Sequence, residues 1–463
     1  MISRFKKNKF YSYIYILLSF PLMIYLAFQV PAFQVADEGS HYQRAYQVSQ
    51  GELFPQKKLL PNTVDDYTVG GTTSPEISQI ELGYLPIAFK PDMKVDTQLS
   101  LVLNSIEWGG NSWGDTRNVS IYPPFLYTLS SLGIILGKSI DLSVSETLIL
   151  SRILNGSIAI LLSAVAIYIA NKGVAVLFSI LMLPMTISQM ASVSPDAISF
   201  PLAALFVAMV SRFDIEKNNR FKILLIISSV FLVVISMTRP PYIALSMVFF
   251  VFSLKYWSDE DKRIKLIGAF LISFISVVIW SIYLTFNVSV PFGPEGVSYL
   301  LRVEQILSAP FSWFVLLFNS FIENYAFYAV SFIGKLGYLD VKLPIWYYFF
   351  AGVSLFLIFY SDVGRLWGRR KGEVYHKLLL LLVIIVAIFS IFLVLSISWT
   401  PMSSSTIQGV QGRYFIPISL FLCLLCEGEK NDKSGCLIQR LGVFLFGFIT
   451  ILVVPLSVFE RYY

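Results

Sequence analysis

Long apolar runs separated by short polar connections dominate the chain. The first run, Tyr11 to Phe33, is long enough to cross a bilayer as a helix. The longest polar stretch, Gln34 to Ser120, follows directly. Further apolar runs lie at roughly Glu146–Ala170, Val174–Gln189, Ala197–Ser211, Lys222–Met237, Tyr242–Tyr256, Ile264–Phe286, Pro344–Ser361, Lys377–Ser398, Tyr414–Cys426 and Leu441–Phe459. Two more are ambiguous. Ile121–Lys138 is short and opens with Tyr122-Pro123-Pro124-Phe125, and Phe311–Phe332 carries Glu323 and Asn324.

Composition agrees with the pattern. Of 463 residues 56% are hydrophobic and 14% charged, whereas a soluble domain is about a quarter charged. The fold class expected is an all-α polytopic membrane protein. The first run is too long for a signal-peptide core and lacks a small-residue cleavage site, so it reads as a retained anchor. The net charge of +6 falls in short clusters between apolar runs, which points away from a nucleic-acid partner. Cys423 and Cys426 form a C-x-x-C inside an apolar run and read as buried thiols. With His41 and His376 as the only histidines, a histidine-based zinc site is not expected.

Charge sets the expected orientation. Arg4, Lys6, Lys7 and Lys9 precede the first run and place the N-terminus in the cytoplasm. If Ile121–Lys138 lies at the interface without crossing, every later basic cluster falls inside. These are Arg212–Lys222, Lys255–Lys265, Arg365–Lys371 and Lys430–Arg440. The same sign argument makes Phe311–Phe332 a second interfacial helix. The expectation is then about eleven spans with the C-terminus outside. Divided accordingly, 1–33 is the N-terminus and first span, and 34–145 a long external loop with an interfacial helix. Then 146–287 is a set of spans, 288–343 a second external region with an interfacial helix, and 344–463 the C-terminal spans.

This topology gathers polar groups on one face. Asp37, Glu38, His41, Arg44, Asp196, Arg239, Lys335, Asp340 and Arg413 all fall outside. Ionisable groups at membrane ends mark functional sites. From Asp37, positions 41 and 44 follow at helical spacing; the plain alternative is that Asp37 or Ser40 caps a surface helix. Arg239, before Pro240-Pro241, and Arg413, after Gly412, stand where arginines bind anions, although arginines there also snorkel to headgroups. A carboxylate beside arginines at the outer surface suits glycosyl transfer from a polyprenyl-phosphate sugar. The carboxylate takes the acceptor proton, and fixed cations stabilise the departing lipid phosphate. Trp108 and Trp113 can stack on sugar rings, but ordering their Gly-rich loop is the plainer role.

A set of motifs spread along the chain carries a resemblance. They are Asp37-Glu38-Gly39-Ser40-His41-Tyr42-Gln43-Arg44-Ala45-Tyr46, Tyr122-Pro123-Pro124, Arg152-Ile153-Leu154-Asn155, Ser194-Pro195-Asp196, Arg239-Pro240-Pro241-Tyr242 and Gly409-Val410-Gln411-Gly412-Arg413-Tyr414-Phe415-Ile416-Pro417. Together they resemble a bacterial membrane-protein family catalogued as domain of unknown function 2142. That family is grouped by similarity with the GT-C glycosyltransferases, which have an acidic residue in the first external loop and use a polyprenyl-linked donor. The resemblance implies a GT-C-like bundle and a catalytic role for Asp37, with Glu38 as the other candidate. Tyr122, Tyr242 and Tyr414 stand inside the motifs and join His41, Arg44, Asp196, Arg239 and Arg413 as candidate substrate- or phosphate-binding residues. Some GT-C enzymes use a divalent metal, which Asp37 with Asp196 could hold; no cofactor is otherwise implied. The partners implied are the lipid-linked donor, a cell-surface glycan or lipid-linked acceptor, and the bilayer. A flippase or transporter of lipid-linked saccharides, or a polysaccharide polymerase, is the competing class. The mid-span segments are nearly free of charge, which favours surface chemistry over passage.

Overall fold

In lipid every backbone N–H and C=O has to be paired within its own segment, so apolar runs of this length become helices. The computed structural model describes residues 2–60, 67–216, 218–290, 293–363, 371–427 and 433–463. Its helices are α1 (Ile2–Gln29), α2 (Glu38–Ser49), α3 (Pro75–Tyr84), α4 (Thr97–Asn104), α5 (Thr128–Ser139), α6 (Val144–Ile169), α7 (Val174–Leu181), α8 (Pro184–Met190) and α9 (Asp196–Val210). They continue as α10 (Asn218–Thr238), α11 (Met247–Lys255), α12 (Glu260–Asn287), α13 (Tyr299–Ser308), α14 (Pro310–Ile333), α15 (Ile345–Val363), α16 (Lys371–Ser398), α17 (Ile416–Leu420) and α18 (Lys433–Tyr462).

Among the described residues seven helices are long and apolar enough to cross a membrane: α1, α6, α10, α12, α15, α16 and α18. The pair α13–α14, bent by 109°, makes an eighth if it is one broken span. The chain is a multi-pass membrane protein, and its described residues hold fewer full-length spans than the about eleven that hydropathy suggests. The shortfall has a local cause. The expected span Val174–Gln189 is split into α7 and α8, and Pro184 opens the second piece. Helix α9 covers 15 residues and contains Pro201; at 1.5 Å per residue that is about 22 Å. The expected spans Tyr242–Tyr256 and Tyr414–Cys426 begin as 3-10 turns, Pro240–Ser246 and Gly412–Phe415. Hydropathy counts apolar residues and does not register prolines, which remove a donor and break the ladder. The expected interfacial helix Phe311–Phe332 is α14, 24 residues long and joined to α13 at the bend. Helix α5 has 12 residues, about 18 Å long, against a hydrocarbon core of about 30 Å. Of the expected basic clusters, Lys217, Arg365, Arg369, Arg370 and Lys430 lie outside the described residues.

The region after α1 is not purely helical. It holds an antiparallel sheet ordered β1 (Gln56–Leu59), β2 (Tyr67–Thr73) and β3 (Ser112–Asp115). Lys57 pairs with Val69, and Thr72 with Trp113. The all-α expectation therefore gives way to a mostly helical fold with a small sheet. Tyr67-Thr68-Val69-Gly70-Gly71-Thr72-Thr73 carries the β-branched and aromatic residues that favour strands, but two glycines obscure the pattern. A short ribbon, β4 (Lys335–Leu336) and β5 (Val341–Lys342), follows α14. Trp108 orders the loop before β3: it stacks on Tyr46 at 5.4 Å and donates to Thr147 Oγ1 at 3.3 Å. Trp113 faces Lys58 Nζ, 3.6 Å from its ring centre.

Candidate functional site

The site begins where α1 gives way to α2. Asp37 occupies the N-cap position of α2 with φ 66°, in the left-handed region. Asp tolerates that conformation better than most residues. Its side chain makes no capping hydrogen bond, so the capping role does not explain it. Instead Oδ2 accepts from Arg413 Nη2 at 2.9 Å. The Asp37 side chain is 52% exposed and that of Arg413 only 5%.

Arg413 is delivered by a close crossing. Its neighbour Gly412 lies against the end of α14, where a Cβ would sit 2.1 Å from the Phe332 nitrogen, and the Gly412 N–H donates to Ser331 Oγ at 2.8 Å. The Arg413 guanidinium is underused. Nη1 reaches Gln189 Oε1 only at 3.4 Å, and the buried Nε has no partner. A second pair stands beside the first. Arg239 donates through both Nη atoms to Asp196, at 2.5 and 3.1 Å. The Tyr414 ring links the two arginines, with Arg239 4.4 Å and Arg413 5.6 Å from its centre. Tyr242 Oη, in turn, donates to the Tyr414 carbonyl at 2.8 Å. Asp37, Asp196, Arg239, Tyr242, Arg413 and Tyr414 thus form one cluster from four separate segments.

Two further residues close it. His41, one turn into α2, has Nδ1 2.9 Å from Tyr127 Oη, and Tyr122 meets its ring edge-on at 5.4 Å. Burial holds His41 down to about 4, against the pull of Asp37, so it is neutral at ordinary pH. Burial pushes the Tyr122 phenol up to about 12, although Arg239 works the other way. For Asp37 burial is the largest single influence and raises the carboxyl, but the guanidinium charges of Arg413 and Arg239 and the Arg413 hydrogen bond act the other way, and the net direction is down. The group is held below the usual carboxylate range. The arrangement is an ionised carboxylate beside a buried cation with donors to spare.

All of these residues fall within a recognised sequence family. The family model described as predicted membrane protein, DUF2142, matches residues 20–422. The chain belongs to the DUF2142 family. No curated protein matches it, and no solved structure does.

In this DUF2142 chain two of the candidate residues face away from the cluster. Glu38 is fully buried and paired with Arg152, which donates Nε to Oε1 at 2.9 Å and Nη2 to Oε2 at 2.5 Å. The Val193 N–H also donates to Glu38 Oε1, at 3.1 Å. Arg152 further donates to the carbonyls of Ala27, Val30 and Pro31, so it satisfies the exposed end of α1. The pair ties α1, α2, α6 and the segment before Asp196 together. Arg44 donates to Gln47 Oε1 and to the carbonyls of Glu52 and Leu53, which closes the turn after α2. Sequence reasoning assigned no role to Arg152, although a charge within an apolar run signals a buried partner. It missed Gln189 altogether, and Glu81 as well. Among the described residues no group of three or more His, Cys, Asp or Glu is placed to hold a metal. Asp37 and Asp196 are each paired with an arginine.

Proposed function

We propose that this protein is a membrane glycosyltransferase. It moves a sugar from a polyprenyl-phosphate donor to a glycan or lipid-linked acceptor on the outer face of the membrane. The observation that carries the proposal is Arg413: a buried guanidinium with an unpaired Nε beside a half-exposed carboxylate. An arginine so placed has unmet capacity for an anion, and phosphate matches its geometry.

In the proposed reaction the donor phosphate enters between Arg413 and Arg239 and competes with Asp37 for Arg413. Losing that partner makes Asp37 more basic. The acceptor hydroxyl then gives its proton to Asp37 as its oxygen bonds the sugar's anomeric carbon. The bond from that carbon to the phosphate oxygen breaks, and its electron pair leaves on the phosphate. The arginines stabilise the growing charge. Glu38 holds the frame through Arg152 and does not touch substrate. A GT-C-like bundle fits this reading, with the short apolar segments α7–α8, α9, α11 and α17 completing the crossings in pairs or pieces.

The test is deletion of the gene and composition analysis of the cell-surface glycan. A missing sugar substituent, restored by the wild-type gene but not by Arg413→Ala, is the expected result. An unchanged glycan, or an intact lipid-linked oligosaccharide accumulating inside, would overturn the proposal.

A further inference from the structure

Glu81, Tyr338 and Phe89 take no part in the phosphate cluster, yet they gather at its edge. Glu81, on α3, lays its carboxylate over Gly39. A Cβ there would sit 2.2 Å from Glu81 Oε1. The side chain is half-buried, and among the described residues no hydrogen bond or ion pair engages it. Burial, then the charges of Glu38 and Asp37, push its carboxyl up. Partly buried carboxylates are costly without a partner.

Tyr338, in the β4–β5 turn, lies in the field of Glu81, Asp37 and Glu38. Its ring meets that of Phe89 at 5.0 Å and 56°. Phe89 is 67% exposed. Both loops are strained, with Phe89 at φ 59° and Leu339, beside Tyr338, at φ 58°. Bulky residues in the left-handed region persist only where surrounding structure imposes it. One buried arginine braces both loops. Arg461, near the end of α18, donates to Asp340 Oδ2 at 2.7 Å, to the Ile87 carbonyl at 2.6 Å and to the Met93 carbonyl at 2.8 Å. It locks the Phe89 loop to the Tyr338 turn.

We propose that Glu81, Tyr338 and Phe89 form the acceptor subsite and that its ligand is a saccharide. This rests on the glycosyltransferase reading of the neighbouring cluster. Glu81 accepts hydrogen bonds from ring hydroxyls, which a carboxylate does strongly. The two aromatic rings cover the apolar face of the sugar while the Tyr338 hydroxyl keeps a polar contact. A lipid alcohol would use neither the open carboxylate nor the paired rings.

The test uses the full chain in lipid nanodiscs and two probes. One is surface polysaccharide isolated from the deletion strain, which carries the unmodified acceptor. The other is polyprenyl phosphate. Glu81→Gln and Phe89→Ala should each weaken polysaccharide binding about tenfold and leave polyprenyl-phosphate binding unchanged. Equal polysaccharide binding by wild type and both variants would overturn the subsite, as would loss of polyprenyl phosphate alone in Phe89→Ala, which marks a lipid contact. Wild type that binds polyprenyl phosphate but not the polysaccharide also overturns it and leaves the donor reading standing. Glu81-dependent polysaccharide binding without polyprenyl-phosphate binding supports the subsite and removes the donor reading.

Discussion

Arg413 Nη2 lies 2.9 Å from Asp37 Oδ2, although 376 positions separate the two residues. Each restrains the other: the carboxylate occupies the cation, and the cation lowers the basicity of the carboxylate. In the proposed reaction an incoming phosphate breaks that stalemate. Arg413→Ala should therefore weaken polyprenyl-phosphate binding about 10- to 100-fold. Arg413→Lys should retain part of it, as a point charge without the fork. Titration of the lipid into nanodiscs carrying each variant checks this, and unchanged affinity in Arg413→Ala would remove Arg413 from the phosphate site.

The Glu38–Arg152 pair should act on folding. Removing one member strands a buried charge, at a cost of about 3–5 kcal/mol. Glu38→Gln and Arg152→Met should each lower thermal stability and yield, and the double variant should recover much of the loss. A Glu38→Gln protein of normal stability that transfers no sugar would instead return Glu38 to the chemistry.

His41 gives a pH signature. Its folded value is lowered to about 4 from an ordinary 6.5. Between those values the unfolded chain binds the extra proton, so stability falls as the pH drops through that window and is fully present above it. The imidazole resonance of His41 should stay in its neutral form down to about pH 4. The Tm of wild type should fall more from pH 6.5 to 4 than that of His41→Asn. Protonation of His41 near 6.5 would contradict its burial.

The proposed orientation is open to labelling. Glu260→Cys, at the start of α12, should resist a membrane-impermeant thiol reagent in intact cells, and Gln50→Cys, after α2, should react. The opposite pattern would put Asp37 and Arg413 on the cytoplasmic side.

Much of the fold was legible in the sequence because burial in lipid needs long apolar runs, and composition reports those directly. The runs behind α1, α6, α10, α12, α15, α16 and α18 stand out for that reason. The broken segments were not legible: Pro184 and the Pro240-Pro241 pair each open a new helical piece within a stretch that stays apolar on average. Of the site, Asp37, Asp196, Arg239 and Arg413 were visible as charges at the ends of apolar runs. Their pairing was not, since nothing local links Asp37 to Arg413 across the chain. Arg44 looks like a site residue by its spacing from Asp37, and Glu38 as the neighbouring acid, but helix geometry turns them toward the carbonyls after α2 and toward Arg152. Glu81 stayed hidden because its meaning depends on Gly39, which leaves room for its carboxylate.

The most direct measurement is sugar transfer by Asp37→Asn in protein that inserts and folds normally. Asparagine keeps the size of the side chain and an oxygen for Arg413, but it cannot take the acceptor proton. General-base contributions are typically about 10²- to 10⁴-fold. Transfer by Asp37→Asn should fall by that factor, with polyprenyl-phosphate binding retained. Near-normal transfer would show that Asp37 is not the base and that its contact with Arg413 serves structure alone.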